Sequence, residues 1–532
     1  MEYKVLGKSI SGPFAIPSGI VITEIQTLMK IAREIPEVGI LTTKSISLDP
    51  IEGNKEPIIA GYEGLSFINA VGLRNKGVDS FVEGLASVKI PEDKFLLASI
   101  LGESGDEFKE VAERLYPYVD GFELNISCPN SVKYGKKVGG RIDIVEKTVK
   151  SVSSLGKPVF VKLYPGSDIE CIVGRCVRSG AAGITAINTL GPKLFLHDGY
   201  PVLSSGVGGL SGKAIFELGL RCVERVRAVT DLPIIACGGI STAEDVRKYR
   251  KAGANYFGIG SALAGMSTGD MREYFHMLSL DLEEGTNNAV AFLNEHLNMS
   301  YTKYTVENKK VLAEDLFVLE FDDILPSKPG QFIFVWLPEK GEKPFSVLDD
   351  DPLTLLIQKR GFFTNVLSRL SIGDTVYVRG PYGNSPNVDG DILLVGGGTG
   401  IAALYLFAKY GRSSVGVLGA RDKDHLCYEI FKDVCDELYL YTEDGSVGRR
   451  GLVTDGLEEL LLGGDFDYCI NCGPEPMVRS AVEIQQKYVN REHIFSSIEY
   501  KTMCGIGLCG SCATSKGFRS CVDGTFLRPY QF

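Results

Sequence analysis

Four thiols crowd one short stretch of this sequence. Cys504, Cys509 and Cys512 form a C-x4-C-x2-C run padded with glycine, and Cys521 follows after eight residues. Glycine lets a backbone curl tightly enough for several sulfurs to face one point, and four cysteine thiolates suit a metal centre. The run has the spacing of plant-type [2Fe–2S] ligands. Its fourth cysteine comes far sooner than in plant-type ferredoxins, so a different fold must surround the cluster. A structural zinc and four plain buried thiols are the alternatives, but zinc sites usually carry C-x2-C in both halves. The sequence therefore predicts a one-electron centre held by Cys504, Cys509, Cys512 and Cys521. Such a centre needs a donor and an acceptor elsewhere in the chain.

A second candidate thiol, Cys128, lies in Asn125-Ile-Ser-Cys-Pro-Asn130. As a thiolate it could act as a general base; a buried structural cysteine is the alternative. Lys44 and Lys162 sit at or inside apolar stretches, and a buried lysine needs an anionic partner. A flavin phosphate, a reduced flavin ring or a carboxylate substrate would serve, against the alternative of two snorkelling surface lysines. Asn69, Asn125, Asn130 and Asn188 add amide donors and acceptors that fit a planar ligand rich in C=O and N–H groups. Cys171, Cys176, Cys222 and Cys237 have no such context and are expected in the core.

The elements that must position these groups read as a TIM (β/α)8 barrel. Short apolar strands are expected at Phe14–Pro17, Gly39–Thr43, Phe95–Ile100, Gly121–Asn125, Val159–Leu163, Gly183–Ile187, Pro233–Cys237 and Tyr256–Gly260. Helical spacing lies between them, as in Asp106–Tyr116 and Thr242–Ala252. In such a barrel chemistry sits where strands end. Here the strand ends read Ser18-Gly19, Lys44-Ser45, Asn125 to Asn130, Asn188-Thr189, Gly238-Gly239 and Gly260-Ser261, with Lys162 on the fifth strand. Glycine turns after the last two strands form the usual phosphate cradle of this fold.

These motifs, with Asn69-Ala70-Val71-Gly72-Leu73 and Gly208-Gly-Leu-Ser-Gly212, resemble the catalytic subunit of class 1B dihydroorotate dehydrogenase over residues 1 to about 285. The resemblance implies FMN across the barrel mouth and Cys128 as the base that takes a proton from C5 of dihydroorotate while hydride leaves C6. It implies substrate contacts from Lys44, Asn69 to Leu73, Asn125, Asn130, Asn188 and Thr189. It implies FMN contacts from Ser18, Lys44, Ser45, Ser99, Asn125, Lys162, Gly212, Gly238, Gly239, Gly260 and Ser261. Ser99 departs from the family, which is expected to carry asparagine there; a hydroxyl can still donate.

Past residue 285 the pattern changes. Leu282–Tyr304 has helical spacing and a linker is placed at 286–303. Then alternating stretches at Leu316, Gln331, Leu353 and Thr375 imply a small antiparallel β-barrel over 304–388. Lys343-Pro344-Phe345-Ser346 falls between two of these strands. At 389–490 a strand, glycine turn and helix carry Gly396, Gly397, Gly398 and Gly400, a loose dinucleotide fingerprint. The acid that usually closes the second strand is absent; Gly419-Ala-Arg421 stands there, which leaves NAD and NADP both open. Cys472-Gly-Pro ends a third strand, and 491–532 is the small cluster region. This order resembles the electron-transfer subunit of the same class, with FAD on the β-barrel, NAD beside it and [2Fe–2S] between the two flavins. Two departures stand out. Lys343 replaces the arginine of the flavin motif and cannot make its bidentate fork, so looser FAD is expected. Gly361-Phe-Phe363-Thr364 replaces Gly-x-Gly-Thr, so Phe363 is expected to bring bulk against FAD.

The reading is a multidomain α/β and β chain fusing both subunits, which oxidises dihydroorotate to orotate and passes electrons to NAD. Two alternatives remain: the same architecture on another dihydropyrimidine, and an electron-transfer module for a partner protein. A net charge of −11 with no dense basic run argues against nucleic acid. The long apolar run from Ile392 to Ala408 is broken by glycines and follows a strand-then-helix pattern, so no membrane span is expected. Thirteen cysteines without an apolar leader suit a reducing cytoplasm. Oligomeric state is left open.

Overall fold

Eight parallel strands close on one another in the first three hundred residues. In chain order they are β1 (Phe14–Ile16), β2 (Val38–Thr42), β3 (Phe95–Ile100), β4 (Gly121–Leu124), β5 (Val159–Leu163), β6 (Gly183–Ala186), β7 (Ile234–Cys237) and β8 (Tyr256–Gly258). Each pairs with the next and β8 returns to β1, so the sheet is a closed barrel. The strands read as unbroken apolar runs because parallel strands are covered on both faces; every residue of β2, β3 and β5 is buried. The computed structural model describes residues 2–126, 142–166, 168–294 and 297–532. Among these residues no helix is long and apolar enough to cross a membrane.

The helices follow their local signals. Ser104 caps Gly105–Leu115 by accepting from the Glu107 N–H, and Phe108, Val111, Ala112 and Leu115 form its buried stripe. Thr242 and Asp245 close a capping box on Ala243–Lys251. Ile169–Arg178 buries Val173 and Cys176 but leaves Cys171 exposed, one helical face away, which corrects its expected core position. Burial pushes the thiols of Cys176 and Cys237 up to about 12, so both are inert core residues, and Cys222 is buried as expected.

The helix expected over Leu282–Tyr304 is not there. Thr268–Glu284 ends at Gly285, which is left-handed at φ +78°. The Asp281 carboxylate then takes the Asn288 and Ala289 N–H groups at 2.8 and 2.7 Å and turns the chain away. A small sheet was also hidden in the sequence. Ile59–Gly61, Ser66–Asn69, Val207–Gly212 and Leu190–Leu194 pair antiparallel, and their glycine-rich, partly exposed residues give little apolar signal.

The chain divides into two units, Met1–Leu297 with Ile506–Ala513, and Asn298–Gly505 with Thr514–Phe532. The second unit holds two sheets. One is antiparallel, with seven strands, and it is not closed by hydrogen bonds: Gly341–Ser346 and Asp349–Asp350 are its two ends. Its strands still share one core, with Val306, Phe317, Leu319, Ile333, Val335, Leu355 and Val376 buried together. Lys343 to Ser346 lies on the edge strand Gly341–Ser346, paired with Phe332–Leu337, and not between strands as expected. Pro344 hid that strand, because proline breaks the pattern yet is tolerated at a sheet edge. The other sheet has six parallel strands, with Asp391–Gly397 between Ser413–Ala420 and Tyr468–Cys472. Ile494–Ser497 pairs with Tyr468–Cys472, so this sheet extends past residue 490.

Lys94 locks the N-terminal end of the barrel. Its ammonium is buried and donates to Ser11 Oγ at 2.8 Å and to the carbonyls of Ile35, Pro36 and Val38 at 3.2, 3.1 and 2.9 Å. Lys94→Met leaves those acceptors buried without a donor. The expected loss is about 3 kcal/mol, read as a lower urea midpoint for the whole chain; an unchanged midpoint contradicts this role.

Candidate functional site

The barrel's C-terminal mouth gathers side chains through one hydroxyl. Ser45, just past β2, shares a 3.1 Å hydrogen bond with Ser18 Oγ and a 3.0 Å one with Ser99 Oγ on β3. Asn125 Nδ2, just past β4, donates to Ser45 Oγ at 2.9 Å, and Asn188 Nδ2, past β6, reaches Asn125 Oδ1 at 3.4 Å. Thr189 N–H in turn donates to Asn188 Oδ1 at 2.9 Å. Six of the expected site residues thus form one network. Ser99 is wholly buried, and its hydroxyl holds Ser45. Cys128 and Asn130 lie outside the described residues.

Lysine positions are set by neighbours. Gly19 is left-handed at φ +79°, and a Cβ there would stand 3.0 Å from Lys44 Nζ. Lys162 on β5 faces Glu123 on β4 at 3.6 Å, with side chains 8% and 2% exposed. The sequence reading passed over Glu123. Its signal was an acid alone in an apolar strand, two residues before Asn125.

The small sheet brings Asn69 opposite Gly209 and Ser66 opposite Gly212, and Asn69 Nδ2 donates to the Gly209 carbonyl at 3.2 Å. Asn54 pins the following loop by donating to the Ala70 and Val71 carbonyls at 2.8 and 3.1 Å. Ala70 and Leu73 are buried, Leu73 packing with Leu101 and Ile51. Gly212 and Gly239 then approach closely. Gly239 has φ +70°, and a Cβ on it would meet Gly212 O at 2.7 Å. Gly238 is also left-handed, at φ +127°. These turns put bare backbone beyond β7, the geometry a phosphate needs. After β8, Gly260 leads into a single 3-10 turn at Ser261–Leu263 and not directly into the α-helix, which starts at Thr268.

The cysteine run is divided between the units, and each part is anchored. In the first unit Val21 N–H donates to Leu508 O at 2.8 Å, Gly265 N–H to Ile506 O at 2.9 Å and Thr23 Oγ1 to Cys509 O at 3.1 Å. Gly510 lies so close that a Cβ would stand 1.9 Å from Thr23 Oγ1. In the second unit Arg379 Nη1 donates to Cys504 O at 3.1 Å. Cys504, Cys512 and Cys521 are buried and Cys509 is half-buried. Among the described residues no group of three or more His, Cys, Asp or Glu side chains is set out as a metal site. The fit to iron–sulfur therefore rests on the four-thiol donor set, its spacing and its anchored backbone.

In the antiparallel sheet Lys343 and Phe345 are half-buried. Phe363 is buried in the sheet's core and stacks on Phe345 at 6.4 Å, while its neighbour Phe362 is 70% exposed. Thr364 Oγ1 accepts from the Arg360 and Gly361 N–H groups at 2.9 and 3.2 Å. In the parallel sheet Gly396 and Gly397 end their strand and Gly398 turns at φ +55°. Gly400 lies where a Cβ would meet Cys472 at 2.7 Å. An acid does follow the second strand. Asp422 stands two residues past Ala420 and bonds His425 Nδ1 at 2.6 Å, while Asp315 bonds His425 Nε2 at 2.7 Å. Burial opposes the imidazolium, yet these two carboxylates raise its pKa above the ordinary value, and the His425 hydrogen bond holds Asp315 at about 2. Arg421 is answered by Asp315 at 3.2 Å and Asp422 at 3.4 Å.

Residues 1–270 match the family model for dihydroorotate dehydrogenase. A relative from Methanocaldococcus jannaschii, named dihydroorotate dehydrogenase B (NAD(+)), catalytic subunit, is 38% identical over 269 residues, 49% of this chain and 87% of its own. Pyrococcus abyssi has two separate relatives. Its catalytic subunit is 35% identical over 53% of this chain and 94% of its own length. Its probable electron transfer subunit is 41% identical over 40% of this chain and 84% of its own length.

The glycine cradle yields a direct test. Gly239→Ala must push the Gly212 backbone away, so FMN affinity of the flavin-stripped chain should fall at least about tenfold, or about 1.4 kcal/mol. Gly199→Ala is the control, since a Cβ there meets nothing within 4 Å at a similarly positive φ. Flavin fluorescence quenching measures both; equal affinities contradict the cradle.

Proposed function

The chain belongs to the dihydroorotate dehydrogenase family, and from that premise we propose how its residues divide the work. It oxidises dihydroorotate to orotate in pyrimidine biosynthesis with NAD as acceptor. FMN, [2Fe–2S] and FAD, when bound, carry the electrons from dihydroorotate to NAD in that order. The observation that carries the assignment of the substrate end is the Ser45 network, which fixes Asn125 and Asn188 at the mouth of a closed barrel.

Lys44 is positioned for the substrate carboxylate, and Asn69 to Leu73, Asn125, Asn130, Asn188 and Thr189 for the ring amides. Cys128 takes the proton from C5 as hydride departs from C6. Ser18, Ser45, Lys162, Gly212, Gly238, Gly239, Gly260 and Ser261 hold FMN, with Ser99 acting through Ser45. Glu123 on the neighbouring strand faces Lys162 at 3.6 Å and fixes where its ammonium stands. Lys343 to Ser346 with Thr364 hold FAD, and Gly396, Gly397, Gly398 and Gly400 hold NAD. Arg421 is already matched by two carboxylates, which disfavours a 2′-phosphate and suits NAD over NADP. Cys504, Cys509, Cys512 and Cys521 ligate the cluster. The thirteen cysteines of the sequence support a reducing cytoplasm.

Cys128→Ala tests the chemistry. It removes the base and no redox centre, so dihydroorotate oxidation should fall by about 10²–10⁴-fold. NADH should still reduce an artificial dye at close to the parent rate. Retained dihydroorotate oxidation would exclude Cys128 as the base.

A further inference from the structure

Arg379 is wholly enclosed, although a charge is costly to bury. Its Nε and Nη2 donate to the two carboxylate oxygens of Glu342 at 2.7 Å each, with both side chains 0% exposed. Tyr301 donates to Glu342 Oε1 at 2.5 Å. The guanidinium lies 3.9 Å from the Phe334 ring centroid and 5.3 Å from that of Tyr382. Glu342 and Arg379 come from the two strands flanking Phe332–Leu337, so the pair spans that strand from both sides.

Stability alone is a weak reason for such a pair. A buried ion pair can often be replaced by apolar residues at little or no cost. The fork to Glu342 leaves one amino group over. That group, Nη1, donates to the Cys504 carbonyl at 3.1 Å and to Tyr382 Oη at 3.2 Å, and lies 3.7 Å from Met299 Sδ. The next residue is pressed on the same rings. Gly505 has φ +80°, and a Cβ on it would stand 2.7 Å from Phe334 and 3.2 Å from Tyr382. The Cys504–Gly505 peptide is therefore fixed by a hydrogen bond at its oxygen and by two aromatic rings at its next α-carbon. Fixing that peptide fixes the direction of the Cys504 side chain.

We propose that Arg379 is a positioning residue for the first thiolate of the iron–sulfur run, held rigid for that purpose by Glu342 and Tyr301. The inference rests on the cluster reading above. It adds that the flavin-binding sheet, through residues far away in sequence, sets the geometry of one cluster ligand. Outer residues that orient metal ligands typically contribute 10–100-fold to metal retention.

The test uses the full chain purified without oxygen. A parent protein lacking iron and labile sulfide overturns the cluster reading itself, whatever Arg379 does. With a loaded parent, Arg379→Lys keeps a charge for Glu342, but one ammonium cannot reproduce the fork and also reach Cys504 O. FAD content and the unfolding midpoint should stay close to the parent's. The electron paramagnetic resonance of the reduced cluster should change, and iron loss to a chelator should quicken about 10–100-fold. A purely structural role would lower the midpoint and leave the resonance alone. The same resonance and the same rate of iron loss as the parent overturn the proposal. If Arg379→Lys does not fold, Tyr301→Phe removes only the hydroxyl steadying Glu342. It should shift both readouts in the same direction by less, and unchanged readouts there overturn the proposal equally.

Discussion

A charge taken out of water must be answered, and the functional parts of both units are built around that constraint. Lys162 can stand at the barrel mouth because Glu123 faces it from the neighbouring strand. Arg379 can sit beside Cys504 because Glu342 takes two of its nitrogens. Each pair costs desolvation, and each leaves its cation with a fixed direction. Lys162 is held against β4 at the barrel mouth, and Arg379 is aimed at the Cys504 carbonyl. Lys94 answers the same constraint mainly with carbonyls, at the barrel end opposite the one where chemistry sits.

Bare backbone does the complementary work. Gly212 and Gly239 approach each other so closely that a single Cβ would part them, which keeps N–H groups open beyond β7. Within its own unit, Gly505 lies too close to Phe334, and Gly510 too close to Thr23, for either to carry a Cβ.

The barrel was legible in the sequence because its strands are buried on both faces and read as plain apolar runs; Phe95–Ile100 and Val159–Leu163 were placed to the residue. So were the residues at the strand ends, since polar side chains following such runs stand out. What stayed hidden depended on distant partners or on ambiguous local signals. Pro344 concealed an edge strand, and the capture of Asn288 and Ala289 by Asp281 ended a helix whose spacing seemed to continue. The burial of Phe363 in the sheet's core and the hydrogen bond between Ser99 and Ser45 likewise depend on partners distant in sequence. Nothing local to Glu342 or Arg379 marks either as a partner of Cys504; only the pairing of three strands brings them together.

The central claim is that one chain carries electrons from dihydroorotate to NAD by way of a cluster on four cysteines. Rapid mixing of Cys509→Ser with dihydroorotate and NAD, without oxygen, tests it most directly. Loss of one thiolate removes the link and leaves both flavin sites intact. The account predicts that dihydroorotate still bleaches flavin absorbance while NADH formation stops. NADH formed by this variant at the parent rate would contradict it.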